Sequence, residues 1–251
     1  MTAKILIDMT EELRLATALA IGVVGGSEHL AMTVAEAEEI AGTLAHTSKM
    51  PCHSTSVPAK DCETGAKLVK VEGSVCNDCY ALKGFYKMRT TQRALEKRLA
   101  GIVHPLWVAA MVVLITNPCS QKGKNCPTDS RYFRWQDSGD LQSLEHLLRI
   151  AEIARLTPDV KHWVPTREYR IVIEYRKRLK ELGIEHPENL VIRLSAHMVD
   201  REPPKGYGFP TSTVVNDHDN GTCSAPETNN KCADCRACWN SGVENVAYAL
   251  H

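Results

Sequence analysis

The spacing of apolar and polar positions changes character several times along the 251-residue chain. Thr33-Val-Ala-Glu-Ala-Glu-Glu-Ile-Ala-Gly-Thr-Leu opens with a capping-type start and keeps apolar residues three and four apart, which predicts a helix. Most of the first fifty residues read as helical in the same way. From Ser48 to about Gly84 the periodicity is lost among Cys, Pro, Gly, Ser and Lys, which predicts an irregular segment with one strand at Lys67 to Val71. A loop of this length inside a domain is usually functional. Thr90 to Leu99 then reads as a charged amphipathic helix. The run His104 to Ile115 is apolar enough for a buried helix, with a strand as the alternative for its second half. Pro118-Cys-Ser-Gln-Lys-Gly-Lys-Asn-Cys-Pro returns to loop composition.

Beyond Arg131 the pattern is regular. A strand is predicted at Arg131 to Trp135, then a helix with Leu141, Leu144, Leu147, Leu148, Ala151 and Ala154 on one face, ending before Thr157-Pro158. A strand at Lys161 to Val164, a helix from Glu168 to Leu182 stopped by Gly183, and a strand Leu190-Val-Ile-Arg-Leu complete a βαβαβ series. Such alternation implies an α/β fold with a parallel sheet and right-handed crossovers, either doubly wound or a partial or complete TIM-like (β/α) barrel. Two regions are expected, an N-terminal helical extension over 1–47 and a (β/α) barrel-like domain over 48–251. In both architectures chemistry gathers at the C-terminal ends of the strands. Those ends are Asp137-Ser-Gly-Asp140, Thr166-Arg-Glu168 and Ser195-Ala-His197, which should converge.

Composition narrows the function. Thirty basic and thirty acidic residues cancel, so no global field draws the chain to nucleic acid or an anionic membrane. The N-terminus is acidic (Asp8, Glu11, Glu12) where a secretory signal is basic, and the apolar run Leu15 to Val24 is too short to span a bilayer. A cytoplasmic protein is expected. Ten cysteines in a reducing compartment then need a reason other than disulfides, and metal ligation is the leading one.

The cysteines fall into two constellations. Cys62 is followed after thirteen residues by Cys76-Asn-Asp-Cys79, with Tyr80 next; the Cys-x-x-Cys turn offers two thiolates and Cys62 a third, leaving one coordination position open. Cys223, Cys232, Cys235 and Cys238 supply four thiolates, enough to close a zinc site or an iron–sulfur site alike. Cys52 reads as a spare thiol or an alternative ligand. Cys119 and Cys126 have no evident partner.

Among the polar candidates, Asp137 at a strand end is suited to act as a base or to bind a substrate hydroxyl, whereas Asp140 reads as a helix N-cap. Arg167 and Glu168 are either active-face groups or a solvated helix start. His197 is a base or donor at the third strand end, or a structural histidine. Tyr80 is expected to pack over the first metal site and shield it from water. The basic series Lys83, Lys87, Arg89, Arg93, Lys97 and Arg98 reads as a solvated helix face.

Several runs together carry a resemblance: Ser74-Val-Cys-Asn-Asp-Cys-Tyr-Ala-Leu-Lys-Gly-Phe-Tyr, Phe133-Arg-Trp-Gln-Asp-Ser-Gly-Asp140, His162-Trp-Val-Pro-Thr-Arg-Glu168, Val191-Ile-Arg-Leu-Ser-Ala196 and Cys232-Ala-Asp-Cys-Arg-Ala-Cys-Trp239. Over roughly residues 48 to 251 the chain resembles the phage-encoded gene product 88 family, which implies a cysteine-rich iron–sulfur protein acting in the host cytoplasm. The Cys-x-x-Cys-Tyr-Ala element is also similar to the cluster motif of radical-SAM proteins, whose barrel holds a [4Fe–4S] cluster by three thiolates and offers the fourth iron to S-adenosylmethionine. The chain differs from that motif at position 72, a Glu where the pattern has cysteine, and it has no clear glycine-rich methionine-amine motif. An aconitase-type site is the other use of an open iron, with Arg167, Arg193 and His197 as candidate substrate-binding or base groups.

The expected function is therefore an iron–sulfur protein with one or two [4Fe–4S] clusters and an open iron at Cys62, Cys76 and Cys79. Its expected partners are a small-molecule or nucleotide substrate and a redox partner, with no membrane and no nucleic acid. The alternatives are a zinc-stabilised nucleic-acid- or partner-binding protein and a non-catalytic redox or iron sensor.

Overall fold

Two of the predicted strands are buried along most of their length, as strands covered on both faces are. They form the middle of the sheet as β4 (Lys161–Thr166) and β5 (Leu190–Ser195), paired in parallel from His162 opposite Leu190 to Thr166 opposite Leu194. The computed structural model describes residues 32–118, 126–203 and 206–250, so the apolar run Leu15 to Val24 and Cys119 lie outside it. To one side of β4 lie β3 (Tyr132–Arg134), β2 (His53–Ser54) and β1 (Ala45–His46); to the other lie β6 (Thr211–Val215) and β7 (Asn245–Ala249). The seven strands stand in chain order, and every pairing is parallel except β1 with β2. The fold is mixed α/β.

Six α-helices are described, and a side-chain cap or a terminal glycine marks an end of three of them. The first, α1 (Val34–Ala41), has the reciprocal capping box of Thr33 and Glu36, and ends at Gly42 with φ 76°. Helix α6 (Tyr169–Leu182) stops where Gly183 adopts the left-handed conformation. Helix α5 (Leu144–Leu156) is capped by Ser143, whose hydroxyl accepts from the His146 N–H. Asp140 is therefore not the cap that the sequence suggests, and Leu141 precedes the helix. Helix α4 (Trp107–Thr116) is buried from Trp107 to Ile115, so the strand alternative for this run is wrong: it is apolar all round because protein surrounds it. No helix among the described residues is long and apolar enough to cross a membrane.

The strand predicted at Lys67 to Val71 is absent. Glu63–Leu68 is instead a short helix, α2, followed by turns. Its first turn is stabilised by a carboxylate 104 residues away, a partner that local spacing cannot reveal. In α3 (Arg89–Gly101) the solvated-face expectation fails at Arg98, which is 8% exposed and points inward. It donates to Thr43 O (2.7 Å) and Ser56 Oγ (2.7 Å). Arg98 shares the spacing of Leu95 and Ile102, the buried side of the helix.

Alternating strand residues separate two faces. Phe133, Trp135, Val164, Ile192 and Leu194 pack with α1, α4, α5 and α6 in the main core. Tyr132 and Trp163 face the other way, into a smaller cluster with Cys52, Trp239, Cys238 and Tyr248. The residues on either side of position 47 share this framework: β1 pairs with β2, and Ala37 and Ala41 of α1 belong to the main core.

Candidate functional site

The chain leaves β2 at Ser54 and runs past the C-terminal ends of the strands before entering α2, so Cys62, the residue before that helix, stands at this end of the sheet. Glu168, at the end of β4, fixes it there: its carboxylate accepts from Thr64 N (2.8 Å) and Thr64 Oγ1 (2.6 Å). The expectation of a solvated helix start does not hold for Glu168, which is 4% exposed. The Cys76-Asn-Asp-Cys79 turn is fixed from both sides. Ser74 Oγ donates to Leu68 O (2.6 Å) and Asn77 Nδ2 to Val69 O (2.9 Å), tying the turn to the end of α2. Val75 N donates to His197 O (2.9 Å), and Ser74 bridges Met198 beyond β5. The sulfurs of Cys62 and Cys76 lie 3.5 and 3.8 Å from the point where a Cβ on Gly65 would sit, which bounds their separation to under twice that distance. Burial raises the Cys62 thiol, and the nearby Asp140, Cys76, Cys79 and Glu168 raise it further. Burial raises Cys76 too, and the charge of Arg167 opposes that shift.

The strand-end polar residues converge as their positions in the βαβ units imply. Asp137, 6% exposed, accepts from Ser54 Oγ (3.1 Å) and Tyr86 Oη (3.2 Å). Tyr80 donates to the Asp137 carbonyl, and its ring is 59% exposed with its edge towards Tyr86. Asp140 accepts from Leu141 N (2.7 Å), Thr166 Oγ1 (2.6 Å) and Arg167 N (2.9 Å), joining the ends of β3 and β4. Burial lifts its pKa to about 6, against the pull of those three bonds. Gly139 makes this join possible, because a Cβ there would come within 2.3 Å of Val57 Cγ2. Arg167 Nε donates to Ala196 O (3.1 Å), and His197 Nε2 lies 3.1 Å from Arg167 O with its ring stacked on Tyr169 at 4.4 Å.

The second cysteine set is built on the sheet face away from the main core. Cys223 N donates to Ala247 O (3.0 Å) in β7, Cys232 N to Lys49 O (2.9 Å), and Cys235 N to Cys232 O (2.8 Å). Arg193, fully buried in β5, donates to the carbonyls of Ala237, Cys238, Asn240 and Thr211 at 2.8 to 3.1 Å. It is thus committed to holding this turn and is not the substrate-binding cation that the sequence suggests. Cys238 Sγ lies 3.1 Å from Tyr248 Oη. Burial lifts Cys238 to about 11, with Tyr248 and Arg193 opposing the shift, while burial, Cys223 and Cys235 raise Cys232. Cys52, 0% exposed, is lifted to about 12 by burial, and Arg134 opposes the shift. Cys126 is exposed.

Among the described residues no three His, Cys, Asp or Glu side chains are gathered closely enough to grip one metal ion. Sequence reasoning missed Thr64, Tyr86 and Arg134. Thr64 and Tyr86 act through partners 104 and 51 residues away. Arg134 alternates with the core residues Phe133 and Trp135, a period that assigns it to the opposite face.

A family model described as Gene product 88 matches residues 26–241. The match starts before the motifs from residue 48 onward and takes in α1 and β1, which the motif resemblance left out. No curated protein and no solved structure matches the chain.

Proposed function

From the premise that the chain belongs to the Gene product 88 family, we propose that it is an iron–sulfur protein in which Cys62, Cys76 and Cys79 hold a [4Fe–4S] cluster with one open iron. The observation that carries this reading is the docking of one three-cysteine loop onto two strand ends, through Glu168 beyond β4 and His197 beyond β5. Three thiolates leave a coordination position for an exogenous ligand, and Arg167, whose charge acts on Cys76, is the cation nearest in role for a ligand carboxylate. Both a methionine-type amino acid, as in S-adenosylmethionine, and a hydroxy acid carry such a group. The strand order, rising without reversal from β1 to β7, supports a partial (β/α) barrel, in which this end of the sheet is the chemical end.

Anaerobic purification followed by iron, acid-labile sulfide and zinc analysis tests the proposal. Brown protein with iron and sulfide in equal amounts is expected. Colourless protein with stoichiometric zinc and no sulfide would overturn it in favour of a zinc-stabilised binding protein. The reduced cluster's EPR spectrum should change on adding S-adenosylmethionine or a hydroxy acid. A spectrum indifferent to both would favour a redox or iron sensor.

A further inference from the structure

Cys52 belongs to neither constellation by spacing, yet it is fully buried on the sheet face away from the main core. It shares one packed cluster with Trp163, Trp239, Cys238 and Tyr248. The segment that carries it is tied to the second cysteine set, since Cys232 N donates to Lys49 O (2.9 Å). Two cations lie over this cluster's rings: Arg134 is 4.8 Å from the Trp163 centroid and Arg236 is 5.1 Å from that of Tyr132.

Three buried N–H groups here have no acceptor among the described residues, namely Trp163 Nε1, Arg134 Nε and Arg236 Nε, although Trp163 is only 3% exposed. A buried donor left unpaired costs about 1–3 kcal/mol. Arg134 takes part in none of the described ion pairs, whereas Arg236 pairs with Asp129 (3.4 Å) through another of its nitrogens. A buried guanidinium is costly without a compensating negative charge. Orphan N–H donors, the Arg134 cation and thiols on one patch favour an anionic ligand with sulfur acceptors. A thiolate-held iron–sulfur cluster is such a ligand, since hydrogen bonds to its sulfurs are among the factors that set its potential.

We propose that Cys52 is one of four thiolate ligands of a second iron–sulfur cluster, the other three coming from the 223–238 set, and that the cluster's sulfurs accept from Trp163, Arg134 and Arg236. Ligation releases the thiol proton to solvent and forms one Fe–S bond, with no net electron transfer. The proposal rests on the cluster reading above, and its test separates the two.

The full chain is purified anaerobically as wild type, Cys52→Ala, Cys76→Ala and the double variant, and iron, sulfide and EPR are compared. Each single variant is expected to lose one cluster's iron and sulfide and to keep a different EPR signal; the double variant is expected to lose both. Wild-type iron and EPR in Cys52→Ala would overturn this proposal and leave the three-cysteine site standing. Iron-free wild-type protein would sink both. Because truncating a fully buried side chain can unfold a protein by itself, Trp163→Phe gives an independent reading, keeping the aromatic bulk and removing only the N–H. The reduction potential of the signal that survives Cys76→Ala is expected to fall, and the other to stay. An unchanged potential in that signal overturns the donor assignment.

Discussion

The two cysteine loops differ in what holds them. The loop through Cys62, Cys76 and Cys79 hangs from strand ends and is fixed by carboxylates and hydroxyls: Glu168 on Thr64, and Asp140 joining β3 to β4. The loop through Cys223 to Cys238 lies on the sheet face and is fixed by a buried cation, Arg193, that gathers four backbone carbonyls beneath aromatic rings. Cys223, Cys232, Cys235 and Cys238 are half-buried, as are Cys62 and Cys79, so the two loops differ in what anchors them rather than in their exposure.

The largest effect that separates them is ligand loss. Cys62→Ala, Cys76→Ala or Cys79→Ala should each abolish the first cluster's absorption and EPR and leave the second intact; a full cluster complement in all three would erase the distinction. Arg193→Met should reverse the pattern, loosening the second loop and costing about 3–5 kcal/mol by denaturant titration, because four carbonyls lose their donor.

Acid should spare neither loop, because it acts on the framework they share. His162, fully buried in β4, accepts from Trp135 Nε1 (3.2 Å) and faces Thr157 Oγ1 (2.8 Å), and burial holds it near pKa 3, as it does His146. Between that value and the ordinary 6.5 the unfolded chain binds the proton and the folded chain does not. Stability should therefore fall as pH drops below 6.5, by up to about 1.4 kcal/mol per pH unit for each such histidine. Both clusters should be lost in parallel on acidification; loss of one well before the other would point to separate frameworks. The smallest effect is Glu168→Gln, about 1 kcal/mol, with faster removal of the first cluster's iron by a chelator and no change in the second.

Much of this comparison is legible in the sequence. The βαβαβ alternation locates β3, β4 and β5, and the polar residues after each strand do converge, because a parallel unit returns every strand end to the same side. What sequence misses are roles fixed by distant partners. Asp140 resembles an N-cap until Thr166 and the Arg167 N–H claim its oxygens. Lys67 to Val71 resembles a strand until Glu168 anchors the start of α2. Arg98 and Arg193 carry charge, which by composition belongs on a surface, yet both spend their donors on interior oxygens. Cys52 has no spacing partner, and its neighbours Trp163 and Cys238 lie 111 and 186 residues further along the chain.

The strand order has a consequence for biogenesis. A sheet that grows in chain order can be laid down strand by strand as the polypeptide leaves the ribosome. The thiols of the first loop emerge early, but the carboxylate that anchors them follows 104 residues after Thr64, and the His197 carbonyl emerges later still. Throughout that interval Cys62, Cys76 and Cys79 ride on an unanchored nascent segment, open to oxidation. Anchoring of this loop is thus a late event in the maturation of the chain, timed by the appearance of β5 rather than by the synthesis of the cysteines themselves.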